Sequence, residues 1–132
     1  MLIEAIANWF ADSLGLKIAE HIFCSEFPPN QNVDVSCCLR ETGGLTEADT
    51  LLRTFTFQLV FRGAILAKVR KRANEFFDLI FSNDHRAIAN LKIGNYQINR
   101  LIALQPPTYL GDDGADNYRF IFNISARAAR LN

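Results

Sequence analysis

Residues 55–81 change from one apolar period to another, with a glycine at the change. Up to Gly63, every second residue is large and apolar: Phe55, Phe57, Leu59 and Phe61. Beyond Gly63, apolar residues recur at helical spacing: Ile65, Val69, Ala73, Phe76, Phe77 and Ile80. A period of two places large side chains on one face of a strand, whereas a period near 3.6 makes one apolar stripe on a helix. Packing that helix on that strand's sheet buries both surfaces, which predicts an α+β domain.

The rest of the chain extends this pattern to a single domain over residues 1–132. We expect a helix over 2–14 that stops at Gly15, a second helix over 64–81, and strands over 22–24, 33–39, 53–62, 91–93, 96–104 and 118–126. Residues 42–52 are predicted to be mostly loop and residues 82–89 to be rich in turns. Gly94-Asn95 and residues 111–114 are predicted hairpin turns. The prediction is a mixed, mostly antiparallel sheet with two helices packed on one face.

The face of the sheet away from the helices is predicted to be polar. Its residues are Thr54, Thr56, Gln58, Arg62, Gln97, Asn99, Arg119, Asn123, Ser125 and Arg127. Such a face is unsuited to a second core layer, so it must meet water, a ligand or another subunit.

Composition narrows the classes of function. The chain has 14 basic and 14 acidic side chains and no formal net charge, which disfavours a protein built to hold a nucleic acid backbone. Its three cysteines form no C-x-x-C pair, and we expect buried free thiols at Cys24 and Cys37 in a reducing compartment. The first fourteen residues lack the basic start of a signal peptide, and no apolar run has the length of a membrane span.

No motif for catalysis, cofactor binding or metal binding stands out, so we expect a protein that is not an enzyme. His21 and His85 lie in no metal-ligand pattern, and we expect a helix-end or strand-end role for His21 and a solvated loop for His85. No G-x-S-x-G motif is present, and Gly43-Gly44 lacks the lysine and helix of a phosphate loop. A small hydrolase whose residues converge from separate strands stays a third alternative, with a deep pocket as its minimum requirement.

The densest basic cluster lies on the second predicted helix, at Lys68, Arg70, Lys71 and Arg72. Charges on a helix face usually serve solubility. The functional alternative is contact with a phosphate backbone or with acidic residues of a partner. The first would make the chain a nucleic-acid-binding module in which these four residues contact phosphate, with Arg100 and Arg119 as helpers.

Five segments carry a resemblance to a known family: Leu14-Gly15-Leu16, Glu26-Phe27-Pro28-Pro29-Asn30, Leu39-Arg40-Glu41-Thr42-Gly43-Gly44, Phe57-Gln58-Leu59-Val60-Phe61-Arg62-Gly63 and Leu104-Gln105-Pro106-Pro107. In their order and spacing, over nearly the whole chain, they resemble bacteriophage minor capsid proteins and, more broadly, tail-terminator and tail-completion proteins. The basic cluster and the loop at residues 112–116 match no motif of that family.

The resemblance implies a structural virion protein that forms a homo-oligomer, often a hexameric ring, and ends tail-tube growth. Its implied partners are the tail tube and the head-completion or connector proteins, with DNA passing through the ring and no membrane involved. Its implied location is the tail or neck of a virion assembled in the host cytoplasm. For the contacts between subunits we predict Arg40, Glu41, Gly43 and Gly44, together with Asp112 and Asp113 at the hairpin tip.

Overall fold

The computed structural model describes residues 2–28, 33–46, 52–84, 87–114 and 116–130. Within these ranges the chain forms two α-helices and seven β-strands. In chain order they are α1 (Leu2–Leu14), β1 (Ile22–Cys24), β2 (Val35–Thr46), β3 (Leu52–Gly63), α2 (Leu66–Asp84), β4 (Ala87–Ile93), β5 (Tyr96–Ala103), β6 (Thr108–Asp112) and β7 (Tyr118–Arg130).

The strands form one sheet in the order β1-β2-β3-β7-β5-β4, with β6 paired to β7. Only the β1–β2 pair is parallel among the strand pairs of the described ranges. Strands β5 and β6 follow one another along the same side of β7, because Ala103 pairs with Ile124 and Thr108 pairs with Ile121. Pro106 and Pro107 lie in the break between them, where neither could donate a ladder hydrogen bond. The predicted mixed, mostly antiparallel sheet is confirmed.

The core lies between one face of this sheet and the two helices. On β3 the side chains of Phe57, Leu59 and Phe61 are fully buried, as the alternation predicts. The ring of Phe76 on α2 packs against both Phe61 and Phe10, with centroids 4.9 and 4.8 Å apart. Phe10 belongs to α1, so one aromatic cluster ties both helices to the sheet.

The end of α1 agrees with the sequence prediction, and the start of α2 differs from it. Helix α1 ends as predicted at Gly15, whose φ is +69°, and the N–H of Leu16 donates to the carbonyl of Ala11 at 2.9 Å. This is the Schellman arrangement that glycine favours. Helix α2 begins at Leu66, later than predicted, so Ile65 lies before the helix and is 49% exposed instead of joining the buried stripe.

Three further sequence predictions are corrected by the fold. Residues 42–46 belong to β2 and are not loop, since the β2–β3 ladder extends to the pair Thr46 and Arg53. A bulge between Glu41 and Gly43, where Gly43 has a φ of +128°, lets the strand continue through its glycines. Residues 82–84 continue α2, and β4 begins at Ala87. The predicted loop at 47–51 and the prediction for His85 lie outside the described residues.

Candidate binding groove on the outer face of the sheet

The outer face of the sheet, opposite the helices, gathers side chains from three central strands. Because the inward positions of β3 are Phe57, Leu59 and Phe61, its outward positions include Gln58, Val60 and Arg62. The register then sets their neighbours: Arg40 of β2 pairs with Gln58, and Arg119 of β7 pairs with Arg62. Antiparallel pairing therefore brings three arginines from distant parts of the sequence onto one surface.

These arginines line a groove of about 260 Å³. Asp113, next to the β6–β7 turn, adds one carboxylate to the lining. The apolar part of the lining comes from Val60 and Ile121 on the sheet, Phe27 after β1, and Leu110 on β6. The groove is thus partly apolar, and its lining has more positively charged than negatively charged side chains.

Two of the arginines hold the segment that follows β1 against the sheet. The Arg62 guanidinium lies 4.2 Å from the centre of the Phe27 ring, and its Nη2 donates to the Pro28 carbonyl at 3.1 Å. The Nε of Arg40 donates to the Ser25 carbonyl at 3.0 Å. Stacking and hydrogen bonding together fix Phe27 as one wall of the groove.

Arg119 is bonded at one end of its guanidinium only. Its Nη2 donates to the Asp112 carbonyl at 2.9 Å. Its Nε is buried and has no hydrogen-bond acceptor among the described residues. A buried donor without an acceptor is unfavourable, so the fold leaves part of the hydrogen-bonding capacity of Arg119 unsatisfied.

The turn between β6 and β7 is ordered by its own carboxylates. Oδ1 of Asp112 accepts from the Gly114 N–H at 3.0 Å. The Asp113 carboxylate accepts from both the backbone N–H and the side-chain amide of Asn117, each at 3.3 Å. Asp113 therefore serves the turn as well as facing the groove.

The structure separates the six residues predicted for subunit contacts. Arg40 and Asp113 lie together in the groove, whereas Glu41 is exposed and pairs with the inward-facing Phe57 in the ladder. Gly43 lies at the bulge, Gly44 pairs with Phe55, and the Asp112 carboxylate is bonded within the turn. Their role in subunit contacts stays a prediction.

Sequence reasoning did not identify Arg62, Arg119 or Phe27 as parts of one site. The alternation placed Arg62 and Arg119 on the polar face. It contained no signal for the strand register that makes them neighbours, or for the fold of the Phe27 segment over them.

The basic cluster of α2 is divided among several partners. Lys68 Nζ lies 2.9 Å from Asp34 Oδ2, and this bond and charge hold the pKa of Asp34 below its usual value. Arg72 Nε lies 4.0 Å from Glu75 Oε2, and the Arg70 guanidinium lies 5.6 Å from the centre of the Phe120 ring.

Arg70 and Lys71 line a shallow surface depression that also contains Glu75 and Asp78. The carboxylates of Glu75 and Asp78 would repel a phosphate bound in this depression. The geometry therefore gives little support to the prediction that the basic cluster contacts phosphate. Contact of the cluster's four residues with phosphate stays a prediction.

The remaining reactive residues are arranged for packing. Burial raises the pKa of the Cys24, Cys37 and Cys38 thiols, most strongly that of Cys37, which disfavours the nucleophilic thiolate. All three are free, and Cys37 and Cys38 are buried while Cys24 is half-buried. Nδ1 of His21 accepts from the Lys17 backbone N–H at 3.1 Å, in keeping with the structural role expected for it.

Among the described residues there is neither a cluster able to hold a metal ion nor a helix able to span a membrane. In those ranges, no three or more His, Cys, Asp or Glu side chains are grouped so as to hold a metal ion. None of the helices there has both the length and the apolar character that crossing a membrane requires.

Comparison with known proteins gives a likeness in fold. No protein-family profile matches the sequence, and no curated protein matches it either. Among solved structures, a chain from the virion of a native gene transfer agent particle has a similar fold, with a TM-score of 0.60 and 16% sequence identity. The match covers 90% of the present chain and 83% of that chain. The two proteins therefore share a whole-domain fold.

Proposed function

We propose that this protein is a structural subunit of a phage-like virion and acts by assembly, not catalysis. The observation that carries the proposal is the fold likeness to a chain of a gene transfer agent virion, because it extends over 90% of the present chain and 83% of the other. A match of that extent covers nearly all of the α+β domain. It therefore agrees in architecture with the family resemblance found in the sequence.

Within the virion, we propose that the protein ends tail-tube growth or joins head to tail. In this role it assembles in the host cytoplasm as a homo-oligomeric ring, of six subunits as the family resemblance implies. DNA passes through the ring, and the tail tube and the head-completion or connector proteins bind on either side.

Several surfaces of the fold suit such assembly. Strands β1, β4 and β6 each pair with a single neighbouring strand among the described residues, so each leaves an edge at which another chain can add. Tyr109 and Leu110 on β6 are 50% and 45% exposed, which provides apolar surface beside one such edge. The groove on the outer sheet face adds a concave surface lined by three arginines.

Ring formation is tested by light scattering of the purified protein over a concentration series at low and moderate salt, with negative-stain electron microscopy of the largest species. We expect one discrete oligomer of ring size and ring-shaped particles. The same samples should be examined with purified tail tubes, because a partner can trigger ring formation. Protein that stays monomeric in both conditions and does not bind tube ends would contradict the ring proposal.

The virion location is tested independently of ring formation. Particles are purified from the organism that encodes the chain and digested for mass spectrometry, and the gene is deleted in a matched strain. We expect a fixed copy number of the protein per particle, and tails of unregulated length or heads without tails after deletion. Absence of the protein from intact particles would overturn the virion proposal itself.

A further inference from the structure

We propose that the outer-face groove is a binding site for an acidic segment of a protein partner, with a partner carboxylate bound by Arg119 and Arg40. This inference goes beyond the proposed function, because it requires a protein partner of stated chemistry but no particular virion role. It rests on three properties of the groove: its charge, its unsatisfied donor and its apolar lining.

The first property is an excess of positive charge. The lining has three guanidinium groups, those of Arg40, Arg62 and Arg119, against the one carboxylate of Asp113. That carboxylate already accepts two hydrogen bonds from Asn117. Like charges close together on a partly buried surface repel one another, so an incoming anion is favoured by all three cations.

The second property is the incomplete hydrogen bonding of the Arg119 guanidinium. Nη2 is bonded to the Asp112 carbonyl, while Nε is buried without an acceptor in the described part of the chain. Because Nε is buried, a carboxylate in the groove reaches it only when the Arg119 side chain shifts toward the groove. The charge-assisted hydrogen bond that then forms is stronger than one to a neutral oxygen. Binding therefore gains from a donor that folding leaves unsatisfied.

The third property is the apolar part of the lining, which favours a protein segment over a nucleic acid as the ligand. Val60, Ile121 and Leu110 make part of the groove apolar, and its volume of about 260 Å³ suits one or two side chains. A nucleic acid backbone is better held by protruding cations on a basic surface, whereas the Arg62 guanidinium stacks on Phe27 and donates to the Pro28 carbonyl. A carboxylate beside an aliphatic side chain matches both parts of the lining.

The test uses the peptide acetyl-Ala-Leu-Glu-Glu-Leu-Ala-amide as the probe and its glutamine counterpart, with both Glu replaced, as the control. The arginine Nε–Hε resonances of the ¹⁵N-labelled protein are followed by NMR during each titration. We expect the glutamate peptide to shift the Arg119 Nε–Hε resonance saturably, with affinity at least tenfold above that of the glutamine peptide. Equal affinity for the two peptides, or no saturable shift, would overturn the proposal.

Three variants test the position of the site. Arg119→Lys keeps the charge but removes the Nε donor, and we expect it to weaken glutamate-peptide binding at least fivefold. Arg70→Lys makes the same change on α2 and should leave affinity unchanged. If Arg119→Lys fails to fold, Arg40→Gln at an exposed groove position tests the same site, and unchanged affinity there would count against the proposal.

A short DNA duplex distinguishes the competing class of ligand. If the duplex shifts the Arg119 Nε–Hε resonance saturably and binds with higher affinity than the acidic peptide, the proposal is overturned in favour of nucleic acid. The result does not depend on ring formation, because a single chain supplies all the residues that line the groove. Failure of this inference is therefore distinguishable from failure of the proposed virion role.

Discussion

At the scale of single residues, Gly63 occupies the tightest point of the join between β3 and α2. A Cβ at this position would collide with the backbone carbonyl oxygen of Asp34 and lie 2.9 Å from Cγ2 of Val69. Gly63 also pairs with Val35 in the β2–β3 ladder, so the carbonyl cannot retreat without disturbing that ladder. The glycine is thus required by close packing of backbone on backbone.

We therefore expect Gly63→Ala to lower the free energy of unfolding by about 1–3 kcal/mol, as overpacked substitutions do. Urea unfolding followed by circular dichroism measures the change. Ala64→Ser adds one heavy atom at the neighbouring, exposed residue and should alter the free energy by less than about 0.5 kcal/mol. Equal unfolding midpoints for the two variants would show that the backbone around Gly63 shifts to accept a methyl group without loss of stability.

A second prediction at this scale concerns the ion pair between Asp34 and Lys68. The hydrogen bond and charge of Lys68 lower the pKa of Asp34 below 3.8. A carboxyl whose folded-state pKa is lowered stabilises the fold above its unfolded-state pKa, and that contribution is lost as the pH falls through the folded-state pKa. The pair should therefore act at neutral pH and disappear in acid.

We expect Lys68→Gln to raise the pKa of Asp34 towards its usual value, as measured by NMR titration of the Asp34 side-chain carbonyl. Lys71→Gln removes a lysine charge three residues further along the same helix and should leave the pKa of Asp34 unchanged. A pKa of Asp34 that is the same in wild type and Lys68→Gln would show that the pair does not persist in solution.

At the scale of elements, the position of both helices depends on the aromatic cluster around Phe76. Phe76 is fully buried between Phe10 of α1 and Phe61 of β3. Its truncation leaves a cavity where three elements meet, and we expect Phe76→Ala to lower the free energy of unfolding by about 3–5 kcal/mol. Phe81→Ala on the same helix, at a residue 42% exposed, provides the matched control.

A double-mutant cycle with Phe10→Ala separates burial from coupling. Because the two rings touch, the effects of Phe10→Ala and Phe76→Ala should sum to more than the effect of the double variant. Strict additivity in chemical denaturation would show that α1 and α2 are held by the sheet independently of one another.

The elements that the sequence predicted well are those whose periodicity reflects burial. β3 and most of α2 follow from alternation and helical spacing, because their apolar positions face one core. Strand 42–46 was predicted as loop because Gly43 and Gly44 lower strand propensity, while pairing with residues 53–56 supplies the compensating ladder. Strand β6 was missed because it is short, follows two prolines and is held by its contact with β7.

At the scale of the whole molecule, the polar sheet face was predictable and the groove on it was not. Alternation alone assigns Arg62 and Arg119 to that face. Their adjacency depends on the β3–β7 register, and the groove's wall depends on Phe27 stacking over Arg62. Register and loop placement are settled by tertiary pairing between segments far apart in sequence, which no local pattern records.

The last prediction concerns assembly and follows from the positions of Arg40 and Glu41. These neighbours on β2 carry opposite charges and are both exposed, with Arg40 directed into the groove. If subunits meet at this strand, reversing either charge removes an exposed ion pair worth up to about 1 kcal/mol at each interface. A closed ring repeats the same loss at every interface, so a small local effect becomes large for the oligomer.

We therefore expect Arg40→Glu and Glu41→Lys each to raise the protein concentration at which half the subunits are assembled, as measured by light scattering. The shift should be larger at low salt, because counterions screen exposed charges over about 10 Å at 0.1 M. Lys71→Glu, a charge reversal on α2 away from the groove, should assemble like wild type. If both β2 variants assembled like wild type at low salt, the interface would have to lie on another surface, and the open edge of β6 would then be the next to test.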